Sequence, residues 1–238
     1  MAGEGQRFID AGYKIPKPLI NINGLPMVVR AAKSLPPADL WIFICREDHI
    51  KNFAIDRELL NYFSDAIILS VDHLTEGQVS TCLLARGHIF PDDRLTIGAC
   101  DNAMVYHQKD YDKNIDMHDA LIWTFRNNPS VLQNPNMYGW VQVDVSGKAE
   151  GVSCKVPISD QPMNDHAVVG TFSFKKAGYF LECADEMIRK SRKINNEYYL
   201  DVVLDECITN GHNVIPFEID NYIGWGTATD LEEYLSKS

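Results

Sequence analysis

The chain has 238 residues, 45% of them hydrophobic and 23% charged, with a formal net charge of −11. This length suits one large α/β domain with a sizeable core, and no run of about 18 apolar residues is present that would require a membrane. The negative balance, without any cluster of lysine and arginine, argues against nucleic acid as a partner, although a few local cations could hold a small phosphorylated ligand.

Strand-like and helix-like stretches alternate along the chain. Apolar runs rich in β-branched and aromatic residues predict strands at 40–45, 66–71, 94–99, 138–145 and 168–174. Apolar residues that recur at steps of three and four predict helices at 26–35, 78–89, 118–128 and 177–192. The alternation predicts a single α/β domain over 1–238, with a Rossmann-like three-layer α/β/α arrangement and a mixed, mainly parallel sheet.

A glycine-containing loop, G-E-G-Q-R-F at 3–8, opens the chain. An α/β sheet places such a loop directly after its first strand, and ligands bind beyond the carboxyl ends of the strands. No strand precedes the loop here, so we expect a first strand of about eight residues upstream of Met1. Small residues let backbone N–H groups approach phosphates, and Arg7 and Lys17 add two cations.

Two common phosphate-binding motifs do not fit this loop. The dinucleotide fingerprint G-x-G-x-x-G requires glycine where the chain has Phe8, and the G-K-[ST] of the P-loop is absent from the sequence. A lone G-x-G is most often an ordinary surface loop. The signal therefore depends on the whole arrangement of G-x-G-x-R-F, then P-K-P-L, then G-x-P-M.

The stretch AGEGQRFIDAGYKIPKPLININGLPM, residues 2–27, resembles the signature of the nucleotidyltransferases that activate sugar phosphates and related phosphorylated small molecules. This family includes the glucose-1-phosphate thymidylyl-, uridylyl- and cytidylyltransferases, and the resemblance covers nearly the whole chain. It implies a nucleotide-binding half at about 1–105 and an acceptor-binding half at about 106–238. It assigns catalytic roles to Arg7 and Lys17, and nucleotide binding to Ala2, Gly3, Glu4 and Gly5.

Two further stretches resemble nucleotide-binding elements of that family. LTEGQVSTCLLA at 74–85 is similar to the loop that reads the base, which implies roles for Thr75, Gly77 and Gln78. Thr75 also suits the N-cap of the helix that follows, and a capped helix is the simpler explanation of this stretch.

TIGACDNAM at 96–104 resembles the segment that carries the metal-binding aspartate, which implies Asp101 as a catalytic Mg²⁺ ligand beside the nucleotide-binding Asn102. Mg²⁺ prefers hard oxygen ligands and takes one or two carboxylates together with phosphates and water. A strand-end aspartate is otherwise often a cap for a turn or helix.

The acceptor-side resemblance begins at YGWVQVDVSGKAEGVSCKVP, residues 138–157. It implies acceptor contacts from Tyr138 and Gly139, and a catalytic role for Lys155 through its contact with the acceptor phosphate. The chain has Cys154 and Val156 where the sugar-phosphate enzymes have glutamate and proline, which argues against a hexose acceptor. The sequence of residues 144–147 also predicts a hairpin turn.

Two stretches near the end of the sequence also resemble segments of the family. NNEYYLDVVLDECI at 195–208 implies that Glu197 binds polar groups of the acceptor, with Gly170 beneath it. In EIDNYIGWGTATDLEEYL at 218–235, Gly224 stands where the family has its second metal-binding aspartate, so the nearest acid, Asp220, is our candidate for that ligand. The G-W-G-T ending is similar to cytidylyltransferase-like relatives and favours CTP.

The resemblance implies transfer of a nucleoside monophosphate from a nucleoside triphosphate, CTP being favoured, to a phosphorylated small molecule. Pyrophosphate leaves, and the product is a nucleoside-diphosphate-linked precursor, with capsule or surface polysaccharide as its expected use. The acceptor phosphate is already an anion and needs no general base, which agrees with the scattered positions of the seven histidines. Mg²⁺ is the expected cofactor, and a homo-oligomer is compatible with the family.

Two other classes stay open. A nucleotide-sugar-dependent glycosyltransferase would call for a D-x-D motif, whereas the chain has a single aspartate followed by Asn102; a regulatory nucleotide-binding domain without turnover would be favoured by loss of Lys17 or Asp101. The identity of the acceptor also has two alternatives. It is either a sugar phosphate or a substrate of the kind used by capsule enzymes such as phosphoglutamine cytidylyltransferase. No signal peptide is visible, and six widely spaced cysteines suit buried thiols, so we expect a cytoplasmic protein.

Overall fold

The computed structural model describes Gly3 and residues 5–237, in which helices and strands alternate along the chain. The helices are α1 (Gln6–Asp10), α2 (Met27–Lys33), α3 (Glu47–Phe53), α4 (Ile55–Leu60), α5 (Gln78–Leu83), α6 (Gln108–Met117), α7 (Ser130–Gln133), α8 (Ala177–Arg189), α9 (Leu200–Thr209) and α10 (Ala228–Ser236). The strands are β1 (Asn21–Ile22), β2 (Leu25–Pro26), β3 (Ile42–Arg46), β4 (Ile67–Val71), β5 (Leu95–Ile97), β6 (Asn102–Val105), β7 (Ala120–Phe125), β8 (Gly139–Val143), β9 (Ala149–Cys154), β10 (His166–Phe174), β11 (Val214–Glu218) and β12 (Asn221–Gly224). The predicted α/β class is confirmed.

The chain divides into two compact units. The first comprises Met1–Thr75, Gly98–Met104 and Ile223–Ser238, and the second comprises Glu76–Ile97 and Val105–Tyr222. Each unit therefore gathers segments that are distant in the sequence. The division into a nucleotide-binding half and an acceptor-binding half stays a prediction.

The first unit has two apolar clusters with α2 between them. Met27 and Ala31 contact the cluster that contains Phe8 and Trp225, whereas Val28 and Ala32 belong to the cluster of Phe43 and Leu59; all eight of these residues are buried. Residues four apart lie on the same side of a helix, so α2 can serve both clusters at once. Next to it β3 and β4 pair in parallel, with Ile44 opposite Leu69.

A six-stranded mixed sheet forms the centre of the second unit, with the strand order β11-β7-β10-β8-β9 and β5 also paired to β10. β7 and β11 are parallel, whereas β10 is antiparallel to β5, β7 and β8. The long strand β10 pairs with β7 along one edge. Along the other edge it pairs with β8 near Ala167 and with β5 near Phe172.

Two helices cover this sheet and are joined by an ion network around a buried acid. Glu206 on α9 is fully buried and accepts hydrogen bonds from Lys190 and from Arg192, the latter at 2.6 Å from its Oε2. Arg192 also bonds Asp205 at 2.6 Å, and Asp205 accepts the backbone N–H of Val152 on β9 at 3.1 Å. These contacts fix α9 against α8 and β9.

The prediction of a helix at 118–128 is wrong, because this stretch is the strand β7. All six residues of Ala120–Phe125 are buried, since β7 lies inside the sheet between β10 and β11. A strand buried on both faces is apolar at every position, and such a run cannot be distinguished from a buried helix by its periodicity.

The other predicted elements are found with shifted ends. The helix predicted at 78–89 ends at Leu83 and is followed by a 3-10 turn at Arg86–His88. The predicted hairpin turn is present, and in it the N–H of Gly147 donates to the Asp144 carbonyl at 3.0 Å. Within the described residues, no helix has the length and the apolar composition that crossing a membrane requires.

Candidate functional site

The predicted cation Lys17 and the predicted metal ligand Asp101 are in direct contact in the first unit. Lys17 Nζ donates to Asp101 Oδ2 at 2.6 Å and to the carbonyl of Gly226 at 3.1 Å. The Lys17 side chain is 15% exposed and that of Asp101 is 31% exposed, so the ion pair lies at the rim of the core. Lys17 Nζ also lies 5.2 Å from the ring centroid of Phe8, a favourable cation–π distance.

Backbone bonds and the core hold these segments together. The N–H of Trp225 donates to the carbonyl of Asp101 at 2.8 Å, and Trp225 packs in the same cluster as Phe8. Lys17 begins a 3-10 turn directly after Pro16, whose fixed backbone angle favours a sharp change of direction. The ammonium and the carboxylate therefore meet because three distant segments share one core.

The glycine loop is described in part. Gly5 has the left-handed angle φ +66° and immediately precedes α1, and a Cβ on it would lie 3.4 Å from Lys17 Cβ. Arg7 lies on α1 and is exposed, while its neighbour Phe8 is buried. Among the predicted nucleotide-binding residues, Gly3 is exposed, whereas Ala2 and Glu4 lie outside the described residues.

Two other nucleotide-side predictions, Asn102 and Thr75, also belong to the first unit. Asn102 is the first residue of β6 and is buried at 3% exposure. Thr75 is half-buried at the end of the first unit's long N-terminal segment. Its predicted role as an N-cap is wrong, because α5 begins at Gln78 and has Gly77 as its N-cap.

In the second unit the predicted base-reading loop is bonded to the predicted acceptor segment. The N–H of Tyr198 donates to the Glu76 carbonyl at 2.8 Å, and the N–H of Val79 donates to the Tyr198 carbonyl at 3.0 Å. A Cβ on Gly77 would lie 2.6 Å from the Tyr198 nitrogen, so only glycine permits this approach. Gln78 Oε1 accepts the N–H of Leu200 at 3.3 Å, at the start of α9.

A tight turn presents Glu197 to solvent. Asn195 and Asn196 both have positive φ, at 49° and 64°, and Ile194 and Glu197 exchange backbone hydrogen bonds across them at 2.9 and 3.0 Å. Two consecutive left-handed residues are typical of a type I′ hairpin turn, and asparagine tolerates this conformation. Glu197 is exposed, and its carboxylate accepts a hydrogen bond from the hydroxyl of Tyr199. Burial raises the pKa of Tyr199 to about 12, and this hydrogen bond adds to the effect.

The predicted acceptor residues of the β8–β9 hairpin are adjacent. Gly139 lies opposite Cys154 in the strand register, and the N–H of Lys155 donates to the carbonyl of Tyr138 at 3.1 Å. Lys155 has φ +60° and ends the hairpin, and its Nζ lies 5.2 Å from the ring centroid of Tyr199. Gly170, with φ +92°, sits where the register of β10 shifts against β7; its predicted place beneath Glu197 stays a prediction.

Sequence reasoning missed Asp201, a buried acid beneath Gly139. A Cβ on Gly139 would lie 2.0 Å from Asp201 Oδ1, so the carboxyl group occupies the space that a side chain would need. Burial raises the pKa of Asp201 to about 6, while its own backbone N–H and the charge of Lys155 act in the opposite direction. The signal was available: an acid stands between Leu200 and Val202 in an otherwise apolar helix start.

Asp220 lines a cavity of about 670 Å³ in the second unit, beyond the carboxyl ends of β7 and β11. The Arg126–Glu218 ion pair also borders this cavity, with N···O distances of 2.6 and 3.0 Å. The Asp220 side chain is 52% exposed, and its Oδ2 lies 3.9 Å from Nε2 of His107. The role of Asp220 as second metal ligand stays a prediction.

The donor set fits a magnesium ion that is bound mainly by its substrate. Among the described residues, no group of three or more histidine, cysteine, aspartate or glutamate side chains could hold a metal ion. Asp101 bonds Lys17 through Oδ2, and its partly exposed carboxylate can take a further ligand. One carboxylate completed by phosphate oxygens and water is a common arrangement for Mg²⁺.

No family model matches the sequence, and no curated protein matches it. Solved structures are similar over the whole chain. A nucleoside-diphosphate-sugar pyrophosphorylase from Vibrio cholerae RC9 has a TM-score of 0.81 at 19% identity, covering 99% of this chain and 98% of its own. The inositol-1-phosphate CTP transferase from T. maritima has a TM-score of 0.74 at 14% identity, covering 99% and 92%.

A UDP-glucose pyrophosphorylase in complex with UDP-glucose is similar as well, with a TM-score of 0.73 at 14% identity, covering 99% of this chain and 95% of its own. The chain therefore has the Rossmann-like α/β fold of the nucleotide-sugar pyrophosphorylases and related nucleotidyltransferases. The fold expected from the sequence resemblance is confirmed.

Proposed function

We propose that the chain is a nucleotidyltransferase of the sugar-phosphate family. It transfers a nucleoside monophosphate from a nucleoside triphosphate to a phosphorylated small molecule, and it releases pyrophosphate. The observation that carries the proposal is the ion pair of Lys17 with Asp101, because it brings the predicted phosphate-binding cation to the predicted metal ligand. The fold of the solved pyrophosphorylases supports the same activity.

In the proposed reaction an oxygen of the acceptor phosphate attacks the α-phosphorus of the nucleotide. A new P–O bond forms, and the bond from the α-phosphorus to the bridging oxygen breaks, so pyrophosphate leaves with its electron pair. Bound Mg²⁺ would neutralise phosphate charge at Asp101. Lys17 and Arg7 stabilise the departing pyrophosphate, while Lys155 binds the acceptor phosphate.

Positioning and charge neutralisation are sufficient for this chemistry. Two features of Lys17 support this role: its side chain is largely buried, and its ammonium donates to two oxygen atoms. A charge that is fixed before the reaction needs little reorganisation when negative charge develops on the leaving group.

CTP is the proposed nucleotide, and the product is a nucleoside-diphosphate-linked precursor for capsule or surface polysaccharide. The G-W-G-T segment at 224–227 supports the choice of CTP. Among the proteins of similar fold is an inositol-1-phosphate CTP transferase, alongside enzymes of UDP-glucose. The acceptor is a phosphorylated small molecule, and the cofactor is Mg²⁺.

The test is a pyrophosphate-release assay that combines four nucleoside triphosphates with a panel of phosphorylated acceptors. We expect release with CTP, its loss in EDTA and its return with added Mg²⁺. Nucleotide binding without release would favour a regulatory domain. In a parallel assay with a nucleotide sugar as the donor, its consumption without pyrophosphate release would favour a glycosyltransferase.

Lys17→Ala tests the site itself. We expect turnover to fall at least about 10²-fold, the scale for losing one preorganised transition-state contact. Lys14→Ala is the matched control, because Lys14 is exposed and three residues away in the same loop. Equal activity of the two variants would remove Lys17 from the chemistry.

A further inference from the structure

Asp201 is an acid whose burial the packing of the second unit does not explain. It is 8% exposed, and its Oδ1 is buried without a hydrogen-bond partner among the described residues. Leaving a buried polar oxygen unpaired is destabilising, because the oxygen loses its hydrogen bonds with water and gains none. Buried acids that have an unpaired oxygen are found most often at functional sites.

The position of Asp201 relates it to the acceptor residues of the proposed function. Its Oδ1 fills the space beside Gly139, where a Cβ would lie only 2.0 Å from this oxygen. Gly139 is paired with Cys154, the residue before Lys155. The Lys155 ammonium in turn lies over the ring of Tyr199, which is the N-cap of the helix that begins with Leu200 and Asp201.

The charged and titratable groups around Asp201 are few. Lys155 on the hairpin is the cation whose charge lowers the Asp201 pKa, against the larger effect of burial. Cys154 and Tyr199 also interact with the Asp201 charge, and burial raises the pKa of both to about 12, so they are neutral at physiological pH. Glu197 bonds Tyr199 and is exposed. The Asp201 backbone N–H stabilises the ionised carboxylate most, and Lys155 is the one charged group that adds to this stabilisation among the described residues.

We propose that Asp201 is a positioning residue of the acceptor site and takes up a proton when the acceptor phosphate binds at Lys155. The proposal rests on the function proposed above. In the free site the ammonium of Lys155 stabilises the carboxylate of Asp201. An incoming phosphate brings negative charge to that ammonium, so the buried carboxylate loses its stabilisation and faces a second anion.

The proton balance is simple. One proton passes from the solvent to a carboxyl oxygen of Asp201 when the phosphate binds, and it returns to the solvent when the product leaves. No proton is exchanged with the reacting phosphates. The uptake removes the repulsion between two anions and leaves Lys155 free to bind the phosphate alone, which makes acceptor binding tighter in mildly acidic solution.

Sulfate is a suitable probe for this coupling, because it resembles a phosphate dianion and does not itself titrate between pH 4 and 8. The titration of Asp201 is followed by ¹³C NMR of labelled aspartate carboxyl groups, and Asp201→Asn identifies the signal. We expect saturating sulfate to raise the measured pKa by about one unit, the scale for neutralising one nearby charge. In Lys155→Gln we expect no response to sulfate. A wild-type titration that sulfate does not move overturns the proposal.

A kinetic measurement separates this proposal from the proposed function. We expect the acceptor KM of the wild type to fall from pH 8 to pH 5.5 more steeply than that of Asp201→Asn, with kcat changing in parallel in the two proteins. Asp185→Asn, at an exposed ion pair with Arg86, is the control and should follow the wild type. Identical pH profiles of wild type and Asp201→Asn refute the coupling while the activity stands. A sulfate response in a protein without turnover supports the coupling and refutes the enzyme.

Discussion

A single methyl group at position 139 would collide with Asp201. The Cβ of Gly139→Ala would lie 2.0 Å from Asp201 Oδ1 and 3.1 Å from Val168 Cγ2. Because both neighbours are buried, the strand must shift, and we expect a loss of about 1–3 kcal/mol in the free energy of unfolding. We also expect a raised acceptor KM, since the shift moves Lys155. Urea unfolding and steady-state kinetics measure the two effects.

Two further variants test whether the loss of stability in Gly139→Ala comes from the collision with Asp201. Gly87→Ala is the control, because a Cβ there meets nothing within 4 Å and the backbone has no positive φ. Combining Gly139→Ala with Asp201→Ala removes the oxygen that causes the clash, so the double variant should lose less stability than the sum of the single changes. Strict additivity would contradict the contact.

The sequence predicts individual site residues only where a local sequence motif marks them. Lys17 and Asp101 were predicted from motifs, and the structure joins them at 2.6 Å. Asp201 was missed, because an acid in the first turn of a helix is expected for the helix dipole alone. Only the tertiary contact between Asp201 and Gly139 shows that this acid points into the protein rather than at solvent.

Among the elements, the turn into α5 depends on the backbone freedom of Gly77. This residue has φ +119°, and a Cβ on it would lie 2.6 and 2.8 Å from backbone atoms of Tyr198. Backbone atoms cannot yield as a flexible side chain can, so Gly77→Ala combines strain with a clash. We expect a loss of about 3 kcal/mol or more in the free energy of unfolding, of which roughly 1–3 kcal/mol is conformational strain.

Gly211→Ala is the matched control for Gly77→Ala. Gly211 belongs to the same unit and has φ +85°, but a Cβ on it would meet nothing within 4 Å. It therefore measures the strain without the clash. Equal losses of stability in the two variants would show that a methyl group at position 77 does not collide with Tyr198.

Element type was predictable where periodicity and burial agreed. The amphipathic helix α8 was predicted at nearly its observed ends, because it buries one face against the sheet. β7 was predicted as a helix, because its burial on both faces erases the alternation that marks a strand. Its neighbours β10 and β11 lie far along the chain, so no local pattern could indicate that β7 is central.

At the scale of the whole molecule, the α/β class followed from the alternation of elements, but the composition of the two units did not. Each unit draws on segments from distant parts of the chain. Local patterns report helices and strands, whereas the grouping of segments depends on which apolar faces meet. The cluster that joins Phe8, Ala103 and Trp225 illustrates this, since each residue comes from a different segment of the first unit.

The burial of Asp201 should make the free energy of unfolding of the whole protein depend on pH. Its pKa is raised from 3.8 to about 6 on folding, mainly by burial. Between these values the native protein binds more protons than the unfolded chain, so this group makes the wild type less stable as the pH rises through that range. The variant Asp201→Asn has no carboxylate at this position, so its stability does not fall with pH for this reason. We expect the variant to gain roughly 2 kcal/mol relative to the wild type between pH 4 and pH 8.

Urea unfolding of both proteins at the two pH values measures this gain, and comparing the proteins at each pH cancels the other titrating groups. Asp185→Asn, which removes an exposed ion pair, should change stability by no more than about 1 kcal/mol. A gain in stability accompanied by weaker acceptor binding would mean that the chain retains a destabilising buried acid for its role in the site. A difference between wild type and Asp201→Asn that is the same at both pH values would mean that Asp201 does not titrate in this range, which would also remove the proton uptake inferred for acceptor binding.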